Sequence, residues 1–292
     1  MQLKNPGIVF MGTPEFAVAS LEAIIRAGYK VSGVVTAPDK PSGRGLRLHA
    51  SPVKELALSH GIPVLQPMKL KDPEFLDSLH QLKHDLQVVV AFRMLPEEVW
   101  SMPSLGTFNL HASLLPQYRG AAPINWAVIN GELKTGVTTF FINHEIDKGS
   151  VIYTRETPIG ENETAGDVHD RLMQIGADLV VKTIEGIISQ KVVPVEQQFI
   201  NPAQPLKPAP KIFRENCRIN WKNKTITLHN FIRGLSPHPT AWSEIVSDAG
   251  EPLNVKIFEA RPVSEGHKLK PGEIVTNRKN FIWVATSDGY IS

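Results

Sequence analysis

The first half of the chain alternates short apolar runs with helix starts, and that alternation leaves few architectures open. Gly7-Ile-Val-Phe-Met-Gly12 is an apolar run closed by glycine, and Thr13-Pro14 behind it marks a helix start with proline at its first position. Phe16 to Ala27 carries apolar residues at helical spacing, and Gly28 stops it. Val31 to Thr36 reads as a second strand. Ser51-Pro52 opens a helix to His60 that Gly61 closes, and Pro63-Val64-Leu65 follows. Asp72-Pro73 starts a third helix, and Leu86 to Phe92 is an apolar run of the buried, parallel kind. Strands alternating with helices build a doubly wound, mostly parallel α/β sheet with right-handed crossovers. Ligands of such sheets bind beyond the carboxyl ends of the strands.

Further on, Gly136 to Phe141 and Gly149 to Thr154 alternate as strands, joined by Asn143-His-Glu-Ile-Asp-Lys148, and Thr164 caps a long helix from about Ala165 to Ile188. Residues 194–210 read PVEQQFINPAQPLKPAP, whose five prolines and few packing residues predict an extended linker. Residues 211–292 are strand-rich, at Val255-Lys-Ile-Phe258, Gly272-Glu-Ile-Val275 and Phe281-Ile-Trp-Val-Ala-Thr286, and predict a small OB-like β-barrel. The expected organisation is therefore a first domain over 1–193, the linker over 194–210 and a second domain over 211–292. A chain of 292 residues has room for both cores.

The net charge of +2 by itself points to no nucleic-acid partner, but the charge is unevenly spread. From Lys211 onward there are 12 basic and 8 acidic residues, against 19 and 21 before it. The single cysteine, Cys217, excludes an internal disulfide and a cysteine metal cluster, which fits a reducing compartment. The N-terminal apolar run is too short for a signal sequence, and no run of about 18 apolar residues is present to span a membrane. A cytoplasmic protein without a membrane partner is expected.

Nucleotide-binding patterns fail: Gly12-Thr-Pro-Glu lacks the G-x-G-x-x-G fingerprint, and no P-loop pattern occurs. The stretch NLHASLLPQYRGAAPINWA, residues 109–127, is more informative. Asn109 and His111 stand two apart after a strand-like approach, so both side chains emerge on one face where a strand ends. An imidazole can move protons near neutral pH, and an amide can donate to a developing oxyanion. Ser113 lacks a nucleophile-elbow context, so acyl transfer by direct attack of an amine is the chemistry that fits. Asp147, in a tight Asp-x-Gly connection, is open between a turn aspartate bonding its own backbone and a carboxylate that fixes the imidazole tautomer or shuttles protons with it. The loop TAPDKPSGRGLRLH, residues 36–49, carries Lys40, Arg44 and Arg47 with Asp39 as its only acid, a composition that suits phosphate contact. His229, His238 and Cys217 match no zinc spacing, and no metal is expected.

Together these residues resemble the folate-dependent formyltransferases. The likeness rests on Asn109-Leu-His111-Ala-Ser113-Leu-Leu-Pro116, Tyr118-Arg-Gly-Ala-Ala-Pro-Ile124 and Asp147-x-Gly149. The opening Phe10-Met-Gly-Thr-Pro-Glu-Phe16 and the loop Pro38-Asp-Lys-Pro-Ser-Gly-Arg-Gly45 match the members that act on charged initiator tRNA. The resemblance implies a formyltransferase-type sheet followed by the barrel, with Asn109, His111 and Asp147 as the catalytic trio and Ser113, Leu114, Leu115 and Pro116 along the folate. It implies that Lys40, Arg44 and Arg47 meet the tRNA acceptor end, and that the basic barrel binds tRNA. It also implies 10-formyltetrahydrofolate as formyl-donor cosubstrate and initiator methionyl-tRNA as acceptor, with no obligate protein partner. Two departures stand out: Ala91-Phe-Arg-Met94 replaces a more usual Ala-Tyr-Gly-type sequence, and the stop at Ser292 leads us to expect a shortened barrel. The rival readings are a formyltransferase acting on a nucleotide-linked amino sugar and a non-catalytic RNA-binding module.

Overall fold

The computed structural model describes residues 6–42, 47–200, 204–246 and 250–292. The chain opens with β1 (Ile8–Gly12), α1 (Glu15–Arg26) and β2 (Val31–Val35), followed by a small antiparallel hairpin of β3 (Lys40–Ser42) and β4 (Arg47–His49). Then come α2 (Pro52–Ser59), β5 (Val64–Leu65), α3 (Pro73–Gln81), β6 (Leu86–Val90), the short α4 (Glu97–Trp100) and β7 (Thr107–His111). Local chemistry sets several of these ends. Ser51 Oγ accepts from the Lys54 N–H at 3.1 Å, Asp72 Oδ1 accepts from the Glu74 N–H at 3.2 Å, and a proline follows each cap. Past them lie α5 (Pro123–Ile129), β8 (Lys134–Phe141), β9 (Val151–Pro158) and the 24-residue α6 (Ala165–Ile188), at whose start Thr164 Oγ1 accepts from the Asp167 N–H at 3.1 Å.

The strands from β1 to β9, apart from the β3–β4 hairpin, form one seven-stranded sheet in the order β5-β2-β1-β6-β7-β8-β9. The first five in that order pair in parallel, and β8 runs antiparallel to β7. The chain winds outward from β1 to β2 and β5, then returns to place β6 on the other side of β1, so the topological switch lies between β1 and β6. Every residue of β1 and of β6 is buried, and the one polar side chain among them, Gln87, is hydrogen-bonded to Thr107 and His84. Val9, Met11, Val35 and Val89 pack with Phe75, Leu79 and Val99 in the core on one face. On the opposite face α6 approaches closely: a side chain at Gly176 would lie 2.7 Å from Leu110 Cδ2, and Thr139 Oγ1 meets Thr183 Oγ1 at 2.9 Å.

Two compact units emerge. The first comprises Met1–Arg119, Gly136–Glu156 and Asp170–Lys207; the second comprises Gly120–Thr135, Thr157–His169 and Pro208–Ser292. Of the stretch expected as a linker, the described residues 194–200 and 204–207 are tied down along the first unit. Val195 exchanges two backbone hydrogen bonds of 2.8 Å with Val151, and Gln197–Phe199 forms a 3₁₀ turn. The Gln117 side chain brackets Lys207 N and Pro205 O, at 2.8 and 3.1 Å.

In the second unit α5 packs on α7 (Thr225–Leu235), where Gly234 leaves room for Ile129. Its strands are β10 (Ala241–Val246), β11 (Pro252–Ile257), β12 (Pro262–Val263), β13 (Ile274–Thr276), β14 (Ile282–Ala285) and β15 (Tyr290–Ile291). They form two antiparallel sheets, β10-β11 and β12-β15-β14-β13. His229 spends Nδ1 on the Ala260 carbonyl and Nε2 on the Glu161 carbonyl, and Cys217 Sγ donates to the Phe213 carbonyl. These are structural uses. Among the described residues no helix is long and apolar enough to cross a membrane, and no three His, Cys, Asp or Glu side chains gather to hold a metal ion.

Candidate active site

Strand β7 lies between parallel β6 and antiparallel β8, with Asn109 opposite Val89 and Phe140, and His111 opposite Thr138. Leu110 faces α6, so strand alternation turns Asn109 and His111 to the other face. Asn109 is partly exposed, and among the described residues its amide makes no hydrogen bond. His111 is buried, with Nε2 at 2.9 Å from the Tyr118 carbonyl oxygen. A carbonyl only accepts, so Nε2 carries the proton and Nδ1 is the nitrogen left for chemistry. The backbone of Tyr118 thus sets the tautomer, a role the sequence left open for Asp147.

The segment after β7 doubles back over the same face. Thr138 Oγ1 donates to the Ser113 carbonyl at 2.7 Å and accepts from the Leu115 N–H at 3.2 Å. The Ser113 hydroxyl donates to the Gln117 carbonyl, and Leu115 is buried with Phe140 and Val151, so both side chains hold the loop from within. Leu114 is half-buried against Gly136, where an added Cβ would meet its Cδ2 at 2.5 Å. Pro116 borders a cavity of about 600 Å³ that Arg119, Asn143, Glu145 and Lys148 also line.

Asp147 sits in the connection from β8 to β9. Asn143 Oδ1 accepts from the Glu145 N–H at 2.9 Å, turning the chain, and Asp147 itself has a left-handed φ of 53°. Gly149 passes so close to Phe141 that an added Cβ would lie 1.6 Å from its carbonyl oxygen. Gln197 is buried beside this turn. Arg119 Nε and Nη2 donate to Gln197 Oε1 at 3.0 and 2.7 Å, and Gln197 Nε2 donates to the carbonyls of Asp147 and Gly149 at 2.8 and 2.9 Å. Burial lowers the Arg119 pKa from its usual value, and the nearby carboxylates of Asp147 and Glu145 oppose that. Lys148 holds the Glu145 carboxyl below the ordinary carboxylate range, first by hydrogen bond and then by charge.

Sequence reasoning did not single out Arg119 or Gln197 as site residues. Arg119 at least stands in the motif-rich stretch; Gln197 lies in a segment whose prolines marked it as a connection.

Beyond the ends of β1 and β6 lie Thr13 and the Ala91–Met94 segment. Ala91 adopts φ 47°, and Arg93 donates to the Pro67 and Met68 carbonyls, while Met94 is exposed. Of the basic loop, Lys40 is exposed, Arg47 belongs to β4, and Arg44 lies outside the described residues. Asp39 is bound by Lys54 at 2.6 Å and by Gln66 at 2.8 Å, and both hydrogen bonds lower its pKa.

The chain as a whole matches known proteins. The family model described as formyl transferase matches residues 7–184, and that of the formyl transferase C-terminal domain matches 211–292. The chain is 55% identical to a methionyl-tRNA formyltransferase of Bacteroides fragilis, over its whole length and 90% of that protein. It is 58% identical to the methionyl-tRNA formyltransferase of Azobacteroides pseudotrichonymphae, covering 91% of it. Solved structures share the fold. A sugar 3N-formyltransferase, WlaRD, crystallised with dTDP and 5-N-formyl-THF, superposes with a TM-score of 0.67 at 21% identity, covering 98% of this chain and 96% of that one. HypX of Aquifex aeolicus in complex with tetrahydrofolic acid gives 0.64 at 21% identity, covering 97% and 43%. With both family models matched in order and full-length relatives above half identity, the chain belongs to the formyl transferase family and, within it, to the methionyl-tRNA formyltransferases.

Proposed function

We propose that the chain transfers the formyl group of 10-formyltetrahydrofolate to the α-amine of methionine esterified to initiator tRNA, in the cytoplasm. One observation carries the chemistry: the partly exposed Asn109 amide, without a protein partner among the described residues, shares one face of β7 with a buried imidazole whose Nε2 is already committed. The relatives at 55–58% identity supply the acceptor.

The folate supplies a carbon at the formyl oxidation level and an amine leaving group. An α-amine titrates near pH 7.7–8.0, so a neutral nucleophilic fraction is present in the cytoplasm. As the amine's nitrogen bonds to the formyl carbon, the formyl oxygen gains charge, and Asn109 donates to it. A donor so placed lowers the barrier by about 3 kcal/mol. His111 works from Nδ1, donating to the same oxygen when protonated. The proton lost by the amine ends on the departing folate nitrogen, and Asp147 assists that passage. Leu114 and Pro116 offer the surface along which the donor lies, and Ser113 and Leu115 keep that surface in place. Lys40, Arg44 and Arg47 contact phosphates of the acceptor end, with Asp39 already neutralised by Lys54, and the basic C-terminal stretch adds to the grip on tRNA.

The test is a competition between acceptors. With 10-formyltetrahydrofolate present, charged initiator tRNA should be formylated and a dTDP-linked amino sugar should not. Formylation of the sugar, or tRNA binding without turnover of any amine, would overturn the proposal.

A further inference from the structure

Gln197 occupies an unusual position for a residue in a proline-rich connection. It is 4% exposed, and all four polar contacts of its side chain are of one chemical sense at each end. The guanidinium of Arg119 can only donate, so the two bonds it makes must fall on Oε1. The carbonyls of Asp147 and Gly149 can only accept, so both must face Nε2. The amide therefore has a single orientation, enforced from both sides. Its two ends join the segment that fixes His111, through Tyr118 and the adjacent Arg119, to the turn that carries Asp147. The Asn143 side chain and the close approach of Gly149 to Phe141 also shape that turn. Glu145, Ile146 and Lys148 are exposed, and Asp147 stands at a left-handed φ that a non-glycine residue adopts only when its surroundings impose it.

We infer that Gln197 is a positioning residue for formyl transfer: clamped by Arg119, it holds the backbone of Asp147 and Gly149 so that the Asp147 carboxylate keeps its place relative to His111. The inference rests on the proposed catalytic role of Asp147. It assigns a function to the connecting segment, which enters the first unit as a strut of its active site. Arg119 acts in turn on Gln197.

Gln197→Glu tests it with almost no change of shape. One carboxylate oxygen keeps Arg119, while the other faces two carbonyl oxygens that lose their donor. The expected result is a fall in kcat of about 10–100-fold, with KM for 10-formyltetrahydrofolate within about threefold of the parent. Arg119→Met, which removes both donors to Oε1 at a half-buried side chain, should give a several-fold loss of the same kind. Because Gln197 acts through Asp147, its effect should vanish in an Asp147→Asn background. A Gln197→Glu variant as active as the parent, or one whose loss is undiminished when Asp147 is already Asn, would overturn the inference alone. An Asp147→Asn variant with unchanged kcat would remove the catalytic assignment of Asp147, and the role of Gln197 with it. If Gln197→Glu does not fold, as read by its thermal midpoint, the same cycle run with Gln197→Met, which removes the amide at similar size, decides between these outcomes.

Discussion

His111 Nε2 and the carbonyl oxygen of Tyr118 are 2.9 Å apart, closing a loop over the end of β7 with six residues between them. Tyr118 reaches that position with a φ of 58°, and its own N–H donates to the Lys207 carbonyl at 2.7 Å. The imidazole is thus oriented by backbone, and the backbone is braced from outside by the connecting segment. An NMR measurement on protein labelled with ¹⁵N in histidine should find the neutral His111 ring as the Nε2–H tautomer, with a pyridine-type signal from Nδ1. The opposite tautomer would show that another partner controls the ring.

The turn bearing Asp147 depends on the absence of a side chain at 149. Gly149→Ala places a Cβ where the Phe141 carbonyl oxygen already is, so the turn has to move. Overpacking of this kind costs about 1–3 kcal/mol. The variant should melt earlier and lose kcat at least as severely as Gln197→Glu. A thermal melt and a steady-state assay on the same sample check both expectations.

Acid should loosen the second unit through one carboxylate. Asp288 Oδ1 accepts from the Thr225 N–H at 2.8 Å and its hydroxyl at 2.9 Å, capping the start of α7, and the backbone bond is the main cause of its lowered pKa. A carboxyl whose folded pKa lies below its unfolded value of about 3.9 contributes stability above that value, lost as the pH falls through the folded pKa. Asp288→Ala should therefore destabilise this unit at pH 7, by no more than about the 1 kcal/mol typical of a helix cap. The difference from the parent should shrink below about pH 4. Urea titrations followed by tryptophan fluorescence at pH 7 and pH 3 measure it.

Arg44 is the remaining sequence expectation with a clear readout. Arg44→Ala should raise KM for charged tRNA steeply, leave KM for the folate unchanged, and reduce the slope of log affinity against log salt by about one contact's worth. Unchanged tRNA kinetics would show that this loop does not meet the acceptor.

What the sequence made legible was what short range decides. Ser51, Asp72 and Thr164 bond to N–H groups two or three residues away, so those helix starts could be read directly. The pairing of Asn109 with His111 follows from strand alternation alone. By contrast, α7 begins at Lys224-Thr225 without a local side-chain cap; its cap is Asp288, 63 residues downstream, and the helix went unread. The short α5 was hidden because Ala122 offers no cap and Gly120-Ala-Ala-Pro123 resembles a turn. Gln197 was invisible for the same physical reason. Its partners lie 78 and 50 residues away, and nothing in PVEQQF distinguishes a buried clamp from a solvated linker.

The most direct test of the account is single-turnover formylation of charged initiator tRNA by the parent and by Asn109→Ala, with both substrates saturating. Loss of the Asn109 donor should lower the rate constant by about 100-fold or more, the usual effect of removing an oxyanion donor, while tRNA and folate bind within about threefold of normal. An unchanged rate constant, or a loss confined to substrate affinity, would contradict it.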